Sequence, residues 1–282
     1  MGKLGSPRPP TTPYALSIVI PALNEAERLP QSLTKIRAFL QAQGWEATTE
    51  VIVVDDGSTD STVAVTARMI RQWPQLTLLT LPHRGKGAAV RQGVLVARGD
   101  DIFLCDADLS MPIEQITRFL APQAPAADVV IGSREAPGAR RFGEPRYRHR
   151  MGRVFNLLVR LLVLGGIEDT QCGFKRMTRA AAQALCAEQR LNGLSFDVEL
   201  LALARARGYT IAEIPIDWYH EAHSRVRPIR DTISMVRDIW TVRRRMRQVA
   251  FAPPPPQSAE PATQAPAGVE RAEHQPVAVI QE

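Results

Sequence analysis

The sequence predicts an α/β fold: a mostly parallel sheet flanked by helices, with basic amphipathic helices in the second half. Three observations predict it. Short apolar, β-branched runs alternate with segments of helical spacing over the first half of the chain. That rhythm then gives way to mainly helical segments. And 45% of the 282 residues are apolar, enough for one substantial core.

The elements follow in order. LSIVIPA (Leu16–Ala22) is the first strand, and Leu29, Leu33, Ile36 and Leu40 mark a helix behind it. EVIVVDD (Glu50–Asp56) is the second strand; STDSTVAVTARMIRQW is a helix with Ser58 or Asp60 as its cap. LTLLTL (Leu76–Leu81) is the third strand, and GKGAAVRQGVLVAR opens a helix behind a glycine-rich turn. DIFLCDAD (Asp101–Asp108) and ADVVIGS (Ala127–Ser133) are the fourth and fifth. Helices are expected over about Tyr147–Leu164, Arg179–Ala187, Ser195–Arg207 and Pro228–Arg247, with one strand, YTIAEIPIDW, before the last. Residues 1–13 are Pro-rich, and residues 251–282 are rich in Pro, Ala and Gln. Both are expected to be disordered, leaving one domain over 14–250.

Composition narrows the chemistry. A net charge of +6 points to an anionic partner. Nucleic acid is not favoured, because no zinc-finger or aromatic RNA-binding signature accompanies the arginines. Three cysteines at irregular spacing form no disulfide framework, and five histidines show no zinc pattern. A reducing, cytoplasmic setting is expected. The most apolar stretch, Val154–Ile167, is short and interrupted by Arg160, so the chain is expected to lie on a membrane rather than to span it.

In open α/β sheets ligands collect at the carboxyl ends of the strands. Four such ends are polar here: Asn24 and Glu25; Asp55 and Asp56; His83 to Lys86; Asp106 and Asp108. Alternate residues leaving a strand point the same way, so Asp106 and Asp108 are expected to face one ion. Two close carboxylates repel unless a cation joins them. Mg²⁺ or Mn²⁺ suits an all-oxygen site completed by substrate phosphates.

IVIPALNE, VIVVDDGSTDST, GKGAAVRQG, DADLS, VIGSR, DTQCGFK and FDVEL resemble, in order, the motifs of the inverting family 2 glycosyltransferases. The similarity runs over roughly Leu16–Arg247 and is greatest to the polyprenyl-phosphate (dolichyl-phosphate) branch, the glucosyl type especially. It implies a GT-A fold with a Rossmann-like nucleotide-binding half. It further implies a nucleotide-sugar donor, UDP-glucose by preference, and a polyprenyl-phosphate acceptor. Pro21, Asn24, Glu25, Asp55, Asp56, Lys86, Gly87 and Asp106 would bind the donor, with Asp106 and Asp108 holding the metal. Arg134, Arg150 and Arg225 would bind the acceptor phosphate. Asp169 would act beside the acceptor as base or orienting group, with Arg134 and Asp108 as its catalytic partners. Asp197 and Glu199 would orient arginines or sugar hydroxyls. Leu23 stands where the family often has an aromatic residue, and Ser110 where mannosyl relatives often have Gln. A soluble saccharide acceptor, or mannosyl transfer from GDP-mannose, are the alternatives.

Overall fold

The computed structural model describes residues 14–220 and 228–249; of residues 146–151 and 228–233 it describes the backbone alone. The two expected disordered ends and Arg225 lie outside the described residues.

Seven strands form one sheet, in the order β3-β2-β1-β4-β7-β5-β8. They are β1 (Leu16–Ala22), β2 (Thr49–Asp55), β3 (Leu76–Thr80), β4 (Asp101–Leu104), β5 (Val129–Ser133), β7 (Lys175–Thr178) and β8 (Ile211–Pro215). The short strands β6 (Arg140–Phe142) and β9 (Asp217–Tyr219) pair with each other. Buried apolar residues fill both faces of the central strands, as a parallel sheet covered on both sides requires. Helix α1 (Leu29–Ala42) buries the expected Leu29, Leu33, Ile36 and Leu40. Helix α2 (Thr62–Ile70) is entered through Asp60, whose Oδ1 accepts the Thr62 N–H at 2.9 Å. Helix α3 is Lys86–Val96, α4 Arg146–Leu162, α5 Arg179–Glu188, α6 Phe196–Ala206 and α7 Pro228–Gln248.

The sheet is mixed: β7 runs antiparallel between β4 and β5. Its polar sequence, KRMT, carries no apolar run, which hides it from periodicity. β8 and β9 divide the expected single strand at the buried Ile216. The order reverses between β1 and β4, and a crevice opens at such a switch point beyond the carboxyl ends. Because β7 is antiparallel, its beginning lies at that edge: Leu104 pairs with Lys175.

Candidate functional site

The crevice is lined by Pro21 from the end of β1, Lys86 from the start of α3, Cys105 and Asp106 beyond β4, Gly173 ahead of β7, and Phe196 and Asp197 at the start of α6. Strand β4 ends at Leu104, so strand alternation does not bring Asp106 and Asp108 together. A turn does: the Leu109 N–H donates to the Asp106 carbonyl at 3.3 Å, and Leu109 itself is left-handed at φ 49°. Asp108 Oδ1 accepts the Ser110 N–H at 3.0 Å.

Lys86 Nζ donates to Asp106 Oδ1 at 2.5 Å. Burial opposes the charge of Lys86, but Asp106 and Asp197 hold its proton above the ordinary lysine range. The two aspartates diverge. Burial pushes Asp106 up, yet Lys86, Lys175 and Arg134 outweigh it and leave its carboxyl low. Burial and the neighbouring Asp106 push Asp108 up. A fully buried lysine, Lys175, pairs with Asp197 at 2.7 Å and donates to the Cys172 carbonyl. Burial raises the Asp197 carboxyl, with Lys175 and Lys86 opposing. Lys175 stands in the DTQCGFK motif, but neither charge pattern nor spacing marked it out. Gly173 was equally unmarked: a Cβ there would lie 2.0 Å from Asp106 Oδ2.

The second station is the end of β5. Arg134 forks onto Asp169, with Nε to Oδ2 at 2.7 Å and Nη2 to Oδ1 at 2.9 Å. Asp169 also accepts the N–H groups of Arg134 and Gln171. Burial pushes its carboxyl up, but the guanidinium prevails and brings it down to about 2. These contacts hold the carboxylate and the guanidinium in one fixed arrangement. The Arg134 guanidinium also sits 5.7 Å from the Trp218 ring. Both acids of the neighbouring basic loop, Glu135 and Glu144, pair with Arg141. Arg150 belongs to α4, and its side chain lies outside the described residues.

Other expected donor residues are engaged by their own chain. Asn24, left-handed at φ 53°, accepts the Thr59 and Asp60 N–H groups, tying the end of β1 to the loop after β2. Glu25 is a bidentate partner of Arg28. Asp56 accepts the Arg84 and Gly85 N–H groups and meets His83 Nδ1 at 2.8 Å, so it builds the β3–α3 loop. Gly87 is needed for a close approach within the chain itself: a Cβ would lie 2.6 Å from the Leu191 carbonyl. Glu199 faces inward rather than solvent and is also engaged within the fold. Asp55 differs: it is buried, and its Oδ1 has no hydrogen-bond partner. A buried carboxylate oxygen without a partner is rare and marks Asp55 apart from the other strand-end residues.

No cluster of three or more metal-ligating side chains occurs among the described residues. Two carboxylates, with phosphate oxygens and waters as the remaining ligands, are nevertheless a sufficient protein contribution for Mg²⁺ or Mn²⁺. Asp106 and Asp108 fit that pattern.

A charged crevice at the switch point of a sheet ordered in this way is where open α/β folds place their ligands. Residues 17–185 match the family described as Glycosyl transferase family 2. The chain is 36% identical over 244 residues to the dolichyl-phosphate beta-glucosyltransferase of Drosophila melanogaster, covering 80% of this chain and 74% of that one. To the Homo sapiens protein of the same name it is 33% identical over 243 residues, covering 82% and 75%. The fold is shared with mannosyl-3-phosphoglycerate synthase from Rubrobacter xylanophilus, with a TM-score of 0.61, 20% identity and coverage of 89% and 79%. It is also shared with glucosyl-3-phosphoglycerate synthase from Mycobacterium tuberculosis in complex with Mn²⁺ and UDP, with a TM-score of 0.59, 20% identity and coverage of 84% and 81%. The chain belongs to glycosyl transferase family 2, and its sheet is that of the GT-A fold.

Proposed function

We propose that this enzyme transfers glucose from UDP-glucose to a polyprenyl phosphate of the dolichyl-phosphate type, with inversion at the anomeric carbon. The observation that carries the mechanism is the ion pair of Lys86 with Asp106 at 2.5 Å, beside that of Lys175 with Asp197 at 2.7 Å. In this reading that cluster is the donor station, and the Arg134–Asp169 pair on the same sheet edge is the acceptor station. The relatives' shared name supports the sugar and the acceptor.

The chemistry asks little of a base. A phosphate monoester has its second pKa near ~6, so the acceptor oxygen is already ionised at neutral pH. Alignment and charge screening are what remain. Asp169 fixes the Arg134 fork through two of its nitrogens, and Nη1 is left for an acceptor phosphate oxygen. Lys86 is placed to follow the donor diphosphate as charge develops on it. A divalent ion held by Asp106 and Asp108 would neutralise that leaving group. Asp55 would meet the base or ribose.

The acceptor side also offers an apolar path. A cleft of about 200 Å³ is lined by Arg153, Val154, Asn156, Leu157 and Arg160 of α4, with Glu135 and Glu168, the chain neighbours of Arg134 and Asp169. It suits the first prenyl unit. Helix α4 buries Phe155 and Val159 but leaves Val154, Leu157, Leu158 and Leu161 exposed, and α7 exposes Trp240. No helix among the described residues is long and apolar enough to cross a membrane. With Arg153, Arg160, Arg243 and Arg244 around it, this face fits peripheral contact with an anionic leaflet, each basic residue contributing about 1 kcal/mol near the surface.

The test is a panel of nucleotide sugars with Mn²⁺ or Mg²⁺ and a short polyprenyl phosphate in detergent, with products identified by mass. Hexosyl-phosphoprenol from UDP-glucose alone is expected. Transfer only to soluble sugars, or only from GDP-mannose, overturns the proposal.

A further inference from the structure

Glu199 sits in a helix whose remaining buried side chains are almost all apolar, so an ionised carboxylate is costly there unless well partnered. Its two oxygens face opposite ways. Oε2 accepts the N–H groups of Arg190 and Leu191, at 2.9 and 2.7 Å. Oε1 accepts Arg245 Nη1 from α7, and Arg245 Nη2 donates to the Glu188 carbonyl at 2.7 Å. The segment so held leads directly to the donor station. The Asn192 carbonyl accepts the Gly87 N–H at 2.7 Å and the Ala88 N–H at 3.3 Å, which are first-turn donors of α3. Gln189 Nε2 donates to the Gly87 carbonyl at 2.8 Å. Gly87 follows Lys86, whose ammonium lies on Asp106.

We propose that Glu199 is a positioning residue that joins α7 to the donor station: its carboxylate locks segment 189–192, and that segment sets the first turn of α3 and so the place of Lys86. The inference rests on the donor reading given above. Helix α7 carries exposed Trp240 and, further along, the Arg245 latch, so the same helix that faces the surface also holds Glu199. The latch gives no new contact to the sugar nucleotide. It fixes the backbone from which Lys86 projects.

The test is calorimetric binding of UDP with Mn²⁺ to the full chain, without acceptor, at a temperature well below every variant's melting point. Glu199→Gln is expected to weaken binding about 5–20-fold, within the usual range of coupling between sites. Arg245→Ala, from the α7 side, should do the same, and the double variant should lose little more than either alone. In turnover assays the donor KM should rise while the acceptor KM stays put, a split that a general loss of packing does not produce. Arg207→Ala, which breaks the surface pair with Glu188, should leave UDP affinity unchanged. Folded Glu199→Gln and Arg245→Ala proteins with wild-type UDP affinity overturn the inference. If Glu199→Gln does not fold, Arg245→Ala decides alone. A wild-type chain that binds GDP but not UDP overturns the donor reading only, since the wild-type to variant ratio is then measured with GDP.

Discussion

The two charged stations on the sheet edge follow opposite electrostatic plans. At the donor station three carboxylates, Asp106, Asp108 and Asp197, share two ammonium groups, Lys86 and Lys175. Their carboxyls are driven apart, Asp106 down and Asp108 up, a pattern of incomplete neutralisation. At the acceptor station Arg134 and Asp169 are matched one to one, with both fork bonds made. The first arrangement is short of positive charge, as the proposed binding of a divalent cation there would require. In the second, both fork bonds are already made within the fold. A reaction that must stabilise a departing diphosphate while merely aiming an already ionised nucleophile calls for this division.

The sharpest way to break the comparison is at the donor station. Asp108→Asn removes the carboxylate that most needs a cation. Turnover is expected to fall by about 10²–10³-fold, the range lost when a preorganised charge-stabilising group is removed. Mn²⁺ binding in the presence of UDP, followed by electron paramagnetic resonance, should weaken in parallel. Unchanged Mn²⁺ binding would detach the metal from this pair. Gly173→Ala is subtler. Its Cβ would fall 2.0 Å from Asp106 Oδ2, so the carboxylate must move. A displacement near 1 Å costs about 10²-fold in rate. The acceptor-side pair is untouched, so kcat should fall with little change in lipid affinity.

Residue pattern and structure agree where apolar burial decides the outcome. Strand β1 and the α1 stripe run as the sequence indicates, because the continuous apolar run of β1 is buried on both faces and the helical spacing of α1 matches one buried face. Strands β6 and β7, spelled RRF and KRMT, were illegible: β7 pairs on both edges inside the sheet, and its buried Lys175 is made tolerable by Asp197, a partner 22 positions away. The site shows the same divide. Asp106 and Asp108 could be singled out as paired acids, but a turn rather than a strand presents them. Asn24, Glu25 and Asp56 sat at the right strand ends and proved to be bonded within the fold, because a polar residue at a strand end serves loop-building as well as ligands. Only coordinates separate the orphaned oxygen of Asp55 from the fully engaged carboxylate of Asp56.

The acceptor-side pair can be examined through acid. Its carboxyl titrates at about 2 in the fold, below the ~3.9 of an unfolded aspartate. A depressed carboxylate contributes stability that is complete above the unfolded value and is lost as pH falls through the folded one. The window is therefore pH 4 to 2, and the contribution about 2 kcal/mol. Asp101 and Asp197, whose carboxyls lie above the ordinary range, act with the opposite sign and at higher pH. Comparison with Asp169→Asn isolates the effect. In urea unfolding series the stability gap between wild type and variant should be constant above pH 4 and narrow by about 2 kcal/mol towards pH 2. A gap that is flat across this window would show that the fork does not hold the carboxyl down.

The smallest effect distinguishes the stations by where their substrates come from. Leu161 is 71% exposed on the outer face of α4, away from both charge clusters. If that face rests on a lipid surface, Leu161→Glu replaces a buried apolar side chain with a charge facing anionic headgroups. Loss of a leucine's burial alone is worth about 1.5–3 kcal/mol at full burial, less at an interface. Sedimentation with vesicles containing anionic lipid is expected to show partitioning reduced by roughly 10-fold. UDP binding should be unaltered, since the donor is soluble and its crevice is distant in sequence and contact from Leu161. With a lipid acceptor in vesicles, turnover at low substrate should fall with partitioning, whereas a detergent-dispersed short-chain acceptor should largely restore it. Equal vesicle binding by wild type and variant would remove α4 from the membrane contact and leave α7 and its Trp240 to account for it.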